Sequence, residues 1–154
     1  MSRRKERELA FKVLFAHEFN PIPLSEQLDF LTEEEEYKKS VTNYVRQLAS
    51  YCIEKKDEFD ALIKPRLINW DFDRVAVVDK ILLRMALAEF LYFEEIPPEV
   101  TIDEMIELGK KFGTPKSGSF INGILDALLK DLKAKNLIKK SGRGLITKIK
   151  LNGK

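Results

Sequence analysis

Apolar residues recur at intervals of three and four along almost the whole chain, and this pattern restricts it to a fold of packed helices. Ser2 is placed to cap a first helix in which Leu9, Ala10, Val13 and Leu14 share a side, with Phe11, Phe15 and Phe19 beside them. Pro21 and Pro23 end that helix, and Ser25 opens a short one carrying Leu24, Leu28 and Leu31. The longest stripe runs through Tyr37, Val41, Tyr44, Val45, Leu48, Cys52, Phe59, Leu62 and Ile63, and Pro65 closes it. Read as one helix, it is a rod of roughly 40 Å at about 1.5 Å per residue.

The pattern resumes after Asn69-Trp70-Asp71. Asp71 or Asp73 can cap a short turn, and Asp79 can begin a helix carrying Ile81, Leu82, Met85, Leu87, Ala88 and Leu91. Pro97-Pro98 breaks the chain before the stripe Ile102, Met105, Ile106, Gly109 and Phe112, which Gly113 is expected to stop as a left-handed residue. Ser117 can cap a last helix with Phe120, Ile121, Ile124, Leu125, Leu128, Leu129 and Leu132 on one side. Gly109 and Gly123 each cost about 1 kcal/mol inside a helix, so close helix–helix approach is expected at both. Leu145 to Leu151 partly alternates like a strand but has no strand to pair with, and is read as tail. The expectation is an all-α protein of six or seven helices in two small bundles. One domain would cover residues 1–136, with subdomains about 1–66 and 67–136 and a basic tail over 137–154.

Composition removes several function classes. With 44% hydrophobic and 34% charged residues, the 154-residue chain is too apolar for disorder and too charged for a membrane protein. Its longest charge-free run is the nine residues from Ser117 to Leu125, against about 20 apolar residues for a membrane span. No apolar signal segment follows the opening Met-Ser-Arg-Arg-Lys-Glu-Arg-Glu, so a cytoplasmic protein is expected. Cys52 and His17 are each alone of their kind, which leaves no internal disulfide, no zinc site and no thiol–imidazole pair. No metal or cofactor is expected.

Charge is unevenly spread. Pro21 to Glu36 carries six acids and no base, whereas Lys130 to Lys154 carries nine bases and one acid. Basic residues also crowd the front of the chain at Arg3, Arg4, Lys5 and Arg7. Basic ends around a neutral middle suit a polyanion held on one face, because phosphate neutralisation needs local Lys and Arg density. They equally suit solubility alone. Arg3 and Arg7 lie four apart on one helix side, and their forked guanidinium groups can bond phosphate bidentately. Cations at the positive end of a helix dipole are slightly unfavourable, which favours a ligand role over a merely solvated helix start.

The turn Gly113-Thr114-Pro115-Lys116-Ser117-Gly118-Ser119 superficially resembles a nucleotide-binding loop. It lacks the lysine and hydroxyl after its second glycine, and a helix precedes it where that loop needs a strand. A helix N-terminus able to hold one phosphate is what remains. Phe120, at the first turn of that helix, is core by default but can also give a base a stacking platform. The acid pairs Asp71/Asp73 and Glu94/Glu95 and the cluster Asp103/Glu104/Glu107 suit caps and solvated faces. No residue set supports an enzyme.

Three runs together resemble a known family. They are Arg3-Arg4-Lys5-Glu6-Arg7-Glu8-Leu9-Ala10 on to Leu14-Phe15, then Trp70-x-x-x-Arg74 with Val78-Asp79-Lys80-x-x-Leu83-Arg84-x-Ala86-x-x-Glu89, and then Ile96-Pro97 through Phe112-Gly113 into Ser117-Gly118-x-Phe120-Ile121-Asn122-Gly123. Over about residues 2 to 133 the chain resembles the NusB transcription antitermination proteins. The resemblance implies two small helical bundles and a non-enzymatic role. It implies binding of boxA RNA of ribosomal RNA operons together with NusE, a small-subunit ribosomal protein, in a complex with RNA polymerase and other Nus factors. By position, Arg3, Arg4, Lys5 and Arg7 match the family's RNA-binding segment, Phe120 matches an aromatic at the RNA surface, and Asp79 and Arg84 match the region facing NusE.

Two residues depart from the family pattern. Lys116 stands where an acid often precedes Ser117, near the proposed RNA surface, and Arg66 stands where some relatives carry a tyrosine, exchanging a stacking contact for a phosphate one. The basic tail from Lys139 onward lies outside the resemblance and is expected to add nonspecific RNA attraction. A methyltransferase RNA-binding domain of the same fold would need a Rossmann-like partner domain, for which no βαβ pattern exists here. The rival of another class is a protein-interaction module with no RNA role. The apolar stripes do not decide between a monomer and a homodimer.

Overall fold

The computed structural model describes residues 1–68 and 71–145, which form seven α-helices joined by short 3-10 turns and contain no strand. They divide into two compact units, Met1–Lys56 and a second beginning at Asp57. Asn69 and Trp70, and the alternating tail beyond Leu145, lie outside the described residues.

In the first unit, α1 (Arg3–Phe19) begins where the Ser2 hydroxyl accepts the Lys5 N–H at 3.2 Å. It packs against α3 (Asn43–Glu54), burying Leu9, Ala10, Val13 and Leu14 with Val45, Leu48, Ala49 and Cys52. The short α2 (Leu24–Glu33) fully buries only Leu28. His17 is half-buried, with Nδ1 3.3 Å from Gln27 Oε1. The single rod expected over 37–63 is in fact interrupted twice. Residues 35–37 make a 3-10 turn, and Thr42 is extended (φ −82°, ψ 171°) with its hydroxyl accepting the Val45 N–H at 3.4 Å. That cap starts α3 anew, so Tyr37 and Val41 continue the stripe without belonging to the helix. A second break at Lys55 (φ −102°, ψ 14°) separates α3 from α4 (Lys56–Ile63).

The second unit is organised by α5 (Val77–Tyr92), buried at every residue from Ile81 to Phe90. A helix apolar on all sides belongs in the middle of a bundle. Here α6 (Pro98–Phe112) and α7 (Ser117–Ala134) pack on it and on each other. Three of the buried α5 residues are charged, and each takes a partner from a different helix. Arg84 donates from Nε and Nη2 to Asp60 of α4 at 2.8 and 3.0 Å. Glu89 accepts from the Thr101 hydroxyl of α6 at 2.7 Å. Asp79, expected to open the helix, is its third residue, and its carboxyl accepts from the Ser117 hydroxyl at the start of α7. The boundary at Lys56 and Asp57 falls ahead of Pro65, and the Asp60–Arg84 pair lies within the second unit.

The glycines divide by cause. At Gly109 a Cβ would stand 2.6 Å from Ile121 Cδ1, so close helix approach holds there as expected. At Gly123 a Cβ would meet nothing within 4 Å, so packing does not explain that glycine. Gly113 is extended (φ −96°, ψ −156°), not left-handed. Space demands glycine there: a Cβ would lie 2.7 Å from the Gly109 carbonyl oxygen and 2.8 Å from Ser117 Cβ.

Beyond α7 the segment around Lys140 is docked. Lys140 Nζ donates to the Glu89 and Phe93 carbonyls at 2.9 and 2.8 Å, satisfying the C-terminal end of α5. Burial pushes its ammonium down to about 8, against the opposing pull of Glu89, Glu95, Glu94 and Glu99. No helix among the described residues is long and apolar enough to cross a membrane.

Arg84→Ala leaves the buried Asp60 carboxylate without its counter-ion, and removing one partner of a buried pair typically costs about 3–5 kcal/mol. Urea denaturation is expected to show a loss of that order, and a loss under about 1 kcal/mol would mean that the pair does not hold α4 to α5.

Candidate nucleic-acid interface

Four cations occupy the first two turns of α1, and they do not all face outward. Arg3, Arg4 and Lys5 are exposed, whereas Arg7 is only 3% exposed. The Tyr44 ring of α3 lies beneath the guanidinium groups of Arg3 and Arg7, whose Cζ atoms stand 4.1 and 5.9 Å from its centroid. Each such cation–π contact is worth roughly 0.5–2 kcal/mol, more where water is excluded. The side Arg3 and Arg7 share is therefore a packing side, and the outward charge is carried by Arg3, Arg4 and Lys5.

The acids of this segment are held in internal contacts. Glu6 is buried, accepts from the Thr42 hydroxyl at 2.5 Å and stands 3.6 Å from Arg3. Glu8 stands 3.7 Å from Lys12 one turn on. Thr42 therefore has two tasks, capping α3 and anchoring Glu6. Thr42 does not stand out in the sequence at all and Tyr44 only as a stripe residue, because their role depends on α1 and α3 meeting.

In the second unit, Gly113 to Ser119 forms a tight turn built around one hydroxyl. Ser117 Oγ accepts the Thr114 N–H at 2.9 Å and hydrogen-bonds to the Asp79 carboxyl. Ser117 is 1% exposed, and Gly118 beside it is buried, so a carboxyl group occupies the place expected to hold a phosphate. The turn presents Lys116 and Ser119 outward, with Phe120 half-buried on the first turn of α7. Burial raises the Asp79 pKa, and the Ser117 hydroxyl lowers it in part. Its Oδ1 is buried and has no hydrogen-bond partner among the described residues.

The remaining expected residues are engaged within the second unit. Arg66 donates from Nε to Asp131 Oδ2 at 2.7 Å and from Nη2 to Asp131 Oδ1, and that bond holds the Asp131 carboxyl below its usual range. Asp131 occupies the Nε–Nη2 edge of the guanidinium, and a phosphate takes that edge only by exchanging with Asp131. Arg84 is buried on Asp60 of α4 and is not exposed at the surface. Among the described residues no group of three His, Cys, Asp or Glu side chains could hold a metal ion.

The NusB family model matches residues 4–130. The transcription antitermination protein NusB of Salinibacter ruber is 39% identical over 146 residues, covering 94% of this chain and 91% of the relative. That of Carboxydothermus hydrogenoformans is 45% identical over 130 residues, covering 81% and 90%. Among solved structures, NusB of T. maritima matches with a TM-score of 0.75 at 40% identity, covering 85% of this chain and 92% of that one. A chain from a crystal structure of antitermination factors NusB and NusE in complex with double-stranded RNA matches with a TM-score of 0.72 at 28% identity, covering 85% and 99%. The chain belongs to the NusB family.

Asp79 yields a pH prediction. A raised carboxyl pKa means that the folded state holds the proton more tightly than the unfolded one, so the stability it contributes is present below the ordinary value and lost as pH rises through the raised one. Asp79→Asn keeps an acceptor for Ser117 without burying a charge. Urea titrations at about pH 3.5 and about pH 7 are expected to show its stability relative to the parent improving at the higher pH. A difference that does not change between the two would contradict the buried-charge account of Asp79.

Proposed function

We propose that this chain is a transcription antitermination factor which, with the ribosomal protein NusE, binds boxA RNA of ribosomal RNA operons and helps RNA polymerase and other Nus factors resist premature termination. The observation that carries the proposal is the start of α1: three cations face solvent, while Glu6 is turned inward onto Thr42. A phosphate approaching this turn meets three exposed cations, of which Arg3 stands 3.6 Å from Glu6, itself held by Thr42. Family membership supports the same reading, since a relative forms a complex with NusE and RNA.

The roles divide by exposure. Arg3, Arg4, Lys5 and Lys116 attract the RNA backbone, fixing register without reading sequence. Phe120 offers its ring to an unstacked base, a contact worth about 1–3 kcal/mol on single strands. Arg7 and Ser117 act from beneath, Arg7 through the Tyr44 ring and Ser117 through the turn that presents Lys116 and Phe120. Arg66 joins when a phosphate displaces Asp131. Asp79 and Arg84 serve the NusE side by fixing α7 and α4 on α5. The activity is binding, not catalysis, and the setting is the cytoplasm.

Fluorescence anisotropy with a single-stranded boxA RNA, its scrambled counterpart and a duplex, each with and without NusE, tests the proposal. Selective binding to boxA, tightened by NusE and weakened by at least tenfold in Arg4→Ala/Lys5→Ala/Phe120→Ala, is expected. Binding to NusE with no RNA preference would replace the proposal with a protein-interaction module.

A further inference from the structure

The loop between the 3-10 turn at 35–37 and α3 carries two adjacent lysines, Lys38 and Lys39. Both are exposed, and neither makes an ion pair among the described residues. The loop is closed by its own backbone: the Ser40 N–H donates to the Tyr37 carbonyl at 3.0 Å, and the Thr42 N–H donates to the Ser40 carbonyl at 3.0 Å. It is also fastened to α1, because the Thr42 hydroxyl donates to Glu6 at 2.5 Å. Lys39 is three residues from Thr42, so its Cα lies within about 11 Å of the residue that touches the first turns of α1. Two residues past Thr42, on α3, Tyr44 carries the Arg3 guanidinium on its ring.

Thr42 thereby ties the loop that carries Lys38 and Lys39 to the turn of α1 that carries Arg3, Arg4 and Lys5, and all five cations are exposed. The acidic run of Pro21 to Glu36 stops two residues short of Lys38, and Glu34, within that run, lines the groove that α1 and α2 form with Leu9, Val13 and Phe30. Glu35 and Glu36 remain exposed beside the lysines and reduce their pull on a phosphate. The sign of the surface changes at Tyr37.

We propose that Lys38 and Lys39 are a second phosphate-binding station, on which the backbone of an RNA strand bound at the first turn of α1 continues across the α1–α3 corner. The inference rests on the RNA-binding reading of α1 and adds to it the path of the strand. The ligand is the phosphodiester backbone, so the two lysines contribute to affinity without regard to base sequence.

The test compares the full chain with Lys38→Gln/Lys39→Gln, and separately with Arg4→Gln/Lys5→Gln, by anisotropy with boxA RNA over a series of salt concentrations. Each phosphate neutralised on a single strand contributes about −0.7 to the slope of log K against log salt. The Lys38/Lys39 variant is expected to lower the slope by about 1.4 and to weaken boxA and scrambled RNA by the same factor. Its thermal unfolding should be unchanged, since neither side chain is buried or paired. A slope unchanged in Lys38→Gln/Lys39→Gln but lowered in Arg4→Gln/Lys5→Gln overturns the second station and leaves RNA on α1. A slope unchanged in both variants overturns the RNA-binding reading itself, and this inference with it.

Discussion

Charges inside a buried helix must be matched, and α5 carries three of them. Asp79, Arg84 and Glu89 lie among apolar residues, where an unpaired charge costs several kcal/mol. Each has a polar partner on a different helix: Arg84 in Asp60 of α4, Glu89 in Thr101 of α6 and Asp79, through one oxygen only, in Ser117 of α7. Hydrophobic burial draws the four helices together without fixing their register, because it is non-directional. The polar contacts are directional. A helix displaced by one residue leaves a buried charge unanswered, so these contacts select one arrangement among many of similar apolar burial. Lys140 extends the scheme to the chain beyond α7 by closing the carbonyl end of α5.

The proposed interface depends on the same economy of polar groups. Ser117, fixed between Asp79 and Thr114, sets the turn from which Lys116 and Phe120 project. In the first unit, Thr42 and Tyr44 of α3 do the equivalent for α1, one engaging Glu6 and the other lying under Arg3 and Arg7. In both units the groups beneath the proposed contact residues are held by inward contacts, Glu6 by Thr42 and Ser117 by Asp79 and Thr114. Such placement fixes side chains before a ligand arrives and reduces the ordering cost of binding.

Much of the fold is legible in the sequence because periodicity reports burial directly. Most of the stripe residues of α1, α5, α6 and α7 are buried, and Ser2 caps α1 as its position implies. Phe15 and Phe19 beside the α1 stripe are nevertheless exposed, and Phe120 is half-buried. The long stripe over 37–63 misleads because apolar spacing persists across a cap: Thr42 changes the backbone without interrupting the pattern. Gly113 and Gly123 mislead for the opposite reason, since the demand on a glycine comes from what lies across the interface. Among the site residues, the clustering of Arg3, Arg4 and Lys5 is visible in the sequence, but which cation of the cluster is buried is not. Arg7 is taken inward by Tyr44, and Arg66 is claimed by Asp131, sixty-five residues away. Pairings at that separation are tertiary facts that no local pattern encodes.

Amide chemical-shift mapping of the full chain against boxA RNA tests the central claim most directly. It reports on the first turn of α1 and the first turn of α7 separately, with no substitution that could disturb folding. Perturbations are expected to concentrate at Arg3, Arg4 and Lys5 and at Lys116 to Phe120, with the buried core of α5 unmoved. Perturbations confined to the acidic segment of α2, or none at all at RNA concentrations that saturate a relative of the family, would contradict that claim.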